Sequence, residues 1–182
     1  GSGAAQILRK LNSKVDDVYN PPSFIIENGI LNNQTKWLWN YFQYYKTCKN
    51  ISEKIIRDNN SDLVISDEDF ASLTVAQNLK IPNILITDVL ETKFTKGIAS
   101  FIERKMNKSM MKIIKNCEVV LIPETGDDQD NISRVGPIVR EINFSRQELR
   151  NRFSFNKITI IISIGGTNAG LFLIDKAIES IL

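Results

Sequence analysis

The sequence has no histidine. That removes the commonest general base and the commonest metal ligand, so acid-base chemistry in this chain falls to Asp, Glu, Lys or Tyr. There are two cysteines, Cys48 and Cys117, far apart and without a CxxC pair. This excludes a disulfide framework and a cysteine-rich metal site, and predicts reduced, buried thiols. No apolar run approaches the roughly 18 residues of a membrane span and no signal peptide is visible, so a cytoplasmic location is expected. The net charge is only +2, from 23 Lys+Arg against 21 Asp+Glu. Such a balance gives no general case for a nucleic-acid partner. What remains is an ordinary globular composition, 42% hydrophobic and 24% charged, in 182 residues. That length suits one good core, or one domain and part of another.

The stretch from Lys157 to Gly170, KITIIISIGGTNAG, organises the reading of the rest. Thr159 to Ile162 is a β-branched run that predicts a parallel strand buried on both faces. It leads into Gly165 and Gly166, where the chain can turn sharply and approach a ligand, with Thr167 or Asn168 placed to cap a helix starting near Ala169. Free amides at the N-terminus of a helix favour phosphate, because they and the helix dipole face negative charge. GGTNAG is neither GxGxxG nor a P-loop, so by spacing alone a phosphate site and a plain strand-to-helix turn both stay open.

From the N-terminus, a short helix is expected with Ile7, Leu8 and Leu11 on one face. Gly1-Ser2-Gly3 reads either as a cloning scar or as the end of a turn whose strand lies outside the sequence. Short extended pieces are expected at Val15 to Tyr19 and Phe24 to Ile26, with a turn at Asn28-Gly29. Gln34 to Asp58 contains no Pro or Gly and reads as one long helix. Leu38, Tyr41, Phe42, Tyr45, Cys48, Ser52 and Ile55 form its expected buried stripe, and Trp39 falls on the polar side. The apolar runs Leu63 to Ser66, Asn83 to Asp88 and Glu118 to Ile122 read as strands. Helices at about 70–79 and 95–116 separate them. This alternation predicts βαβ units and a parallel sheet.

Two of these strands end in acids: Asp67, Glu68 and Asp69 follow the first, and Asp88 ends the second. Ligands bind at the carboxyl edge of a parallel sheet, so these carboxylates are site candidates, with helix capping by Asp67 or Asp69 as the alternative. The following helix sets Arg104, Lys105, Lys108, Lys112 and Lys115 opposite Ile98, Phe101, Ile102, Met106 and Ile113. That face is either simply solvated or drawn to an anionic membrane surface. Glu124 to Asp130 is a polar, acidic surface loop. Arg134 to Arg140, RVGPIVR, reads as a short strand broken by Gly136-Pro137, and Ser145 with Glu148 forms a capping box.

Three of these segments in this order resemble the MurG-like glycosyltransferases of the two-domain GT-B fold. They are SDLVISDEDFASLTVAQNLKIPNILITD, which is similar to the family's strand, helix, Ile-Pro and strand; RVGPIVR, similar to its interdomain linker; and SIGGTNAG, similar to its first C-terminal Gly-rich loop. The resemblance implies an α/β, Rossmann-like parallel sheet with flanking helices. Residues 1–136 would form the acceptor-side domain without its first strand-helix unit, 137–156 the linker, and 157–182 the opening strand, loop and helix of the donor-side domain. The chain would then be the middle of such an enzyme, completed by a C-terminal domain or a second chain.

The implied activity is transfer of a sugar from a nucleotide diphosphate sugar to an acceptor, in that family often a lipid-linked one, with inversion at the anomeric carbon. Asp67 or Asp88 would be the general base. Amides of Gly165, Gly166, Thr167, Asn168 and Gly170 would hold the diphosphate, with Arg140 on the same charge. Neither a cofactor nor a metal is implied, since amides and a helix dipole can do what a cation would. Partners would be the nucleotide sugar, the acceptor and, through the basic helix, a membrane surface; nucleic acid is not among them. Two rivals are a nucleotide-sugar 2-epimerase, against which the lack of histidine counts, and a non-catalytic acceptor-side subunit that docks a separate catalytic chain at a membrane.

Overall fold

A computed structural model gives the fold, and it describes residues 4–11, 14–23, 25–27, 30–93, 95–97, 99–139, 141–163 and 171–180. Helix α1 (Ala4–Lys10) comes first, followed by the two-residue strands β1 (Ile26–Glu27) and β2 (Ile30–Leu31), which pair antiparallel. Next come α2 (Gln34–Asp58), β3 (Val64–Asp67), α3 (Phe70–Asn78), β4 (Asn83–Ile86), α4 (Ala99–Lys115), β5 (Val119–Ile122) and β6 (Ile132–Arg134). Helices α5 (Arg146–Arg152) and α6 (Leu171–Glu179) follow. Strands β3 to β6 make a four-stranded, wholly parallel sheet in chain order, flanked by helices, which is a Rossmann-like α/β arrangement.

The register aligns the carboxyl ends. Asp67 lies opposite Ile86, Ile86 opposite Leu121, and Ile122 opposite Arg134. The ladder runs one residue further on each strand: Glu68 N–H donates to Ile86 O, Thr87 N–H to Leu121 O and Val135 N–H to Ile122 O. Whatever follows Asp67 and Ile86 is therefore held to one edge by main-chain bonds.

The core explains why these strands form. Leu85, Val120 and Ile122 pack with Leu73 of α3 and Ile114 of α4, and Cys117 closes the cluster. Both cysteines are free thiols and both are buried, as their sequence context predicts. Asn131, in the loop between β5 and β6, donates to Ile114 O and Cys117 O, which ties that loop to the end of α4. Helix α2 packs against α3, and Leu38, Cys48, Ser52 and Ile56 are its buried residues.

Several sequence expectations need correction. Thr159 to Ile162 is not a strand buried on both faces: residues 158–163 pair with no strand among the described residues, Ile158 is 98% and Ile161 76% exposed, and Ile160 and Ile162 are exposed with them. β-branching favours an extended chain, but a parallel strand needs neighbours, and among the described residues none lies beside this segment. Val15 to Tyr19 is irregular. The strand expected from Arg134 lies earlier, at Ile132–Arg134, with its ladder ending at the Gly136 turn. Phe42 is 60% exposed and Ile56 is buried where Ile55 was expected, so the α2 stripe is rotated. Ile7, Leu8 and Leu11 are exposed, as are Phe101 and Ile102 of α4. Helix α4 starts at Ala99, later than expected, and the N–H and hydroxyl of Thr95 before it both donate to Glu103 Oε2, at 3.1 and 2.5 Å. Trp39 is exposed on the polar side of α2, and the Ser145–Glu148 capping box is formed, both as expected.

Candidate functional site

Two turns clasped by side chains build the carboxyl edge of β3 and β4. In the first, the buried Ser66 hydroxyl donates to Asp69 O and accepts from Asp69 N–H, both at 2.9 Å. The chain between them turns back through Glu68, whose φ of 58° is in the left-handed region that a glutamate rarely adopts. In the second, the buried Thr87 hydroxyl accepts from Val89 N–H (3.0 Å) and donates to Val89 O (3.1 Å), so the turn presents Asp88. The same hydroxyl reaches Glu68 Oε1 at 3.3 Å, linking the two turns.

The edge thus brings Glu68 and Asp88 together. Glu68's carboxyl is held above its ordinary value of 4.5, first by partial burial of the carboxylate, then by a hydrogen bond to Asp88 and by the charge on Asp88. The charge on Asp88 thus favours the protonated form of Glu68.

The other acids go elsewhere. Asp69 caps α3, accepting from Ala71 N–H at 3.0 Å and Ser72 N–H at 3.3 Å, so capping accounts for it. Its second oxygen accepts from the Tyr19 hydroxyl at 3.0 Å. Asp67 is exposed at the end of β3 and makes no side-chain hydrogen bond among the described residues. In the described residues no three His, Cys, Asp or Glu side chains are grouped to hold a metal ion. Arg140 and the whole Gly165 to Gly170 loop lie outside the described residues.

One part of the site was not singled out in the sequence. All four tyrosines of the chain, Tyr19, Tyr41, Tyr44 and Tyr45, line a cavity of about 150 Å³ whose other wall is Asp67 to Ala71, with Cys48 at its base. The Tyr19 hydroxyl, donating to Asp69, stands 2.5 Å from Ser52 Oγ, which donates to it in turn. Tyr45 meets Thr74 Oγ1 at 2.6 Å and Phe70 O at 3.1 Å. Tyr41 stacks on Trp37, with ring centroids 5.0 Å apart. Burial raises all four phenols, so they are neutral at physiological pH. Tyr41 and Tyr45 had been read only as core, and Tyr19 as part of a strand. The available signal was the bunching of Tyr41, Tyr44 and Tyr45 on successive helical turns.

The chain is similar to an uncharacterized glycosyltransferase from Methanopyrus kandleri, 25% identical over 140 residues that make up 70% of this chain and 40% of that protein. It therefore spans less than half the length of that relative. No family model matches the chain, and no solved structure matches it.

Proposed function

We propose that this chain is part of a glycosyltransferase that moves a sugar from a nucleotide diphosphate sugar to an acceptor hydroxyl, with inversion. The observation that carries the reading is the 140-residue likeness to a glycosyltransferase. The carboxylate pair at the sheet edge supplies chemistry to match it. In the proposed step the acceptor oxygen bonds to the anomeric carbon as the bond from that carbon to the diphosphate breaks, and the acceptor's proton passes to the edge carboxylates. Asp88 paired with Glu68 is the proposed base, and Asp67 at the end of β3 is its rival. The amides of Gly165 to Asn168 and Gly170, with Arg140, are proposed to take the departing diphosphate. The division at Gly136 into an acceptor-side domain, a linker and the opening of a donor-side domain is part of the same proposal.

The diphosphate contact is tested by calorimetry with UDP and GDP. Gly166→Val should abolish binding by placing a side chain where the phosphates approach, and leave the melting temperature of the sheet unchanged. Unchanged binding by the variant would mean that GGTNAG is only a turn.

Exposure of Phe101 (59%) and Ile102 beside Arg104, Lys105 and Lys108 favours a second element, contact with an anionic membrane where a lipid-linked acceptor would reside. Arg104 lies over the Phe101 ring, 6.0 Å from its centroid, so the apolar and basic groups form one patch. Liposome binding should require anionic lipid, weaken with salt and fall several-fold in Lys105→Ala/Lys108→Ala. Equal binding to neutral liposomes, or none, would remove it. Among the described residues no helix is long and apolar enough to cross a membrane.

A further inference from the structure

Beside the tyrosine cavity lies a larger one, about 440 Å³, between residues 18–22 and the outer face of α2. Its volume is within the roughly 300–1,000 Å³ of small-molecule sites. Tyr19, Tyr44 and Cys48 line both cavities, so the larger one adjoins the cavity that Asp67 to Asp69 line. We infer that the larger cavity is a binding site for an uncharged sugar ring, seated against Tyr44 and held by the amides of Asn20, Asn40 and Gln43.

Three features select that chemistry. None of the ten lining residues is charged, in a chain where 24% of residues are. An anionic or cationic ligand would find nothing to neutralise it. Asn20, Asn40 and Gln43 are exposed and make no side-chain hydrogen bond to the protein among the described residues, so each offers a donor and an acceptor to neighbouring hydroxyls. The Tyr19 and Tyr44 rings meet edge to face, 6.3 Å apart at 81°. A flat base cannot be sandwiched in that corner. A puckered ring can lay its polarised C–H face on one π surface and turn its hydroxyls to the amides.

As an acceptor site this assignment rests on the glycosyltransferase reading, but the binding itself does not. The test is NMR titration of this chain with glucose and N-acetylglucosamine, against glucose 6-phosphate and glucuronate. Neutral sugars should perturb Tyr44 and Gln43 saturably, and the charged analogues should bind at least tenfold more weakly. Asn40→Ala/Gln43→Ala, on an exposed helix face that tolerates alanine, should weaken neutral-sugar binding at least tenfold with an unchanged melting temperature. Tyr44→Leu should weaken neutral-sugar binding to a similar extent. Absence of a saturable response, equal binding of charged sugars, or full binding by the double variant would each overturn the site. Sugar binding here without diphosphate binding in the Gly166 experiment would support the site and count only against the transferase reading.

Discussion

Asp88→Asn should lower sugar transfer by about 10²–10⁴-fold in the protein that carries this chain, the contribution of a positioned general base. The fold should be intact, because Asp88 is exposed on a turn held by Thr87 rather than by its own side chain. Glu68→Gln should give a loss of similar size, and Asp67→Asn a smaller one. The pH profile separates a shared pair from a single base. With the Asp88 charge and hydrogen bond gone, Glu68 titrates lower, so the acid limb of any residual activity should move to lower pH. Stability should respond in the same sense. A carboxyl whose folded value is raised binds more protons folded than unfolded, so its contribution is complete below about 4.5 and declines as pH rises through the raised value. That decline should be missing in Glu68→Gln. Near-normal turnover in both Asp88→Asn and Asp67→Asn would end the base assignment, whatever the pH profile.

Leu85→Ala should destabilise the fold by about 2–5 kcal/mol, and Leu73→Ala by a similar amount. Both side chains are fully buried in one cluster, Leu85 from the centre of the sheet and Leu73 from α3. Against the roughly 5–15 kcal/mol that holds most domains together, either loss is a large fraction of the total. Urea unfolding should show a lower midpoint with little change in slope, since the denatured chain is nearly the same. The matching change at the exposed Ile65, Ile65→Ala, should stay within about 1 kcal/mol. If Leu85→Ala and Ile65→Ala behave alike, the sheet does not bury the face described here.

The parallel sheet and its helices could be read from residue order because each element carries its signal locally. Helix α2 was located from end to end: 25 residues without Pro or Gly, stepping at three and four. β3, β4 and β5 were located by short apolar runs bounded by polar turns. The site was only half legible for a geometric reason. Asp67, Glu68 and Asp69 are consecutive, and which of them turns toward Asp88 depends on the left-handed step at Glu68, which no residue preference announces. Asp69's competing role, a cap, was visible beforehand and proved right. The tyrosine wall was not visible, because Tyr19 is brought to it by bonds to Ser52 and Asp69, 33 and 50 residues away. The isoleucine run misled for the opposite reason. Its local preference for an extended chain is strong, but strand formation is a property of a pair.

That run bears on how the chain behaves in concentrated solution. Between Lys157 and Asp175 there is no charged residue, and the described part of this interval, Ile158 to Ser163, exposes four isoleucines and pairs with no strand among the described residues. An uncharged, β-branched segment of that kind is prone to pair with the same segment of neighbouring copies. Lys157 is then a gatekeeper: its charge, repeated in register along a stack of copies, opposes self-pairing by a repulsion that salt weakens. Self-association of the polypeptide would then be governed by one lysine and the six residues after it, at a distance in sequence from the core cluster between Leu73 and Ile122.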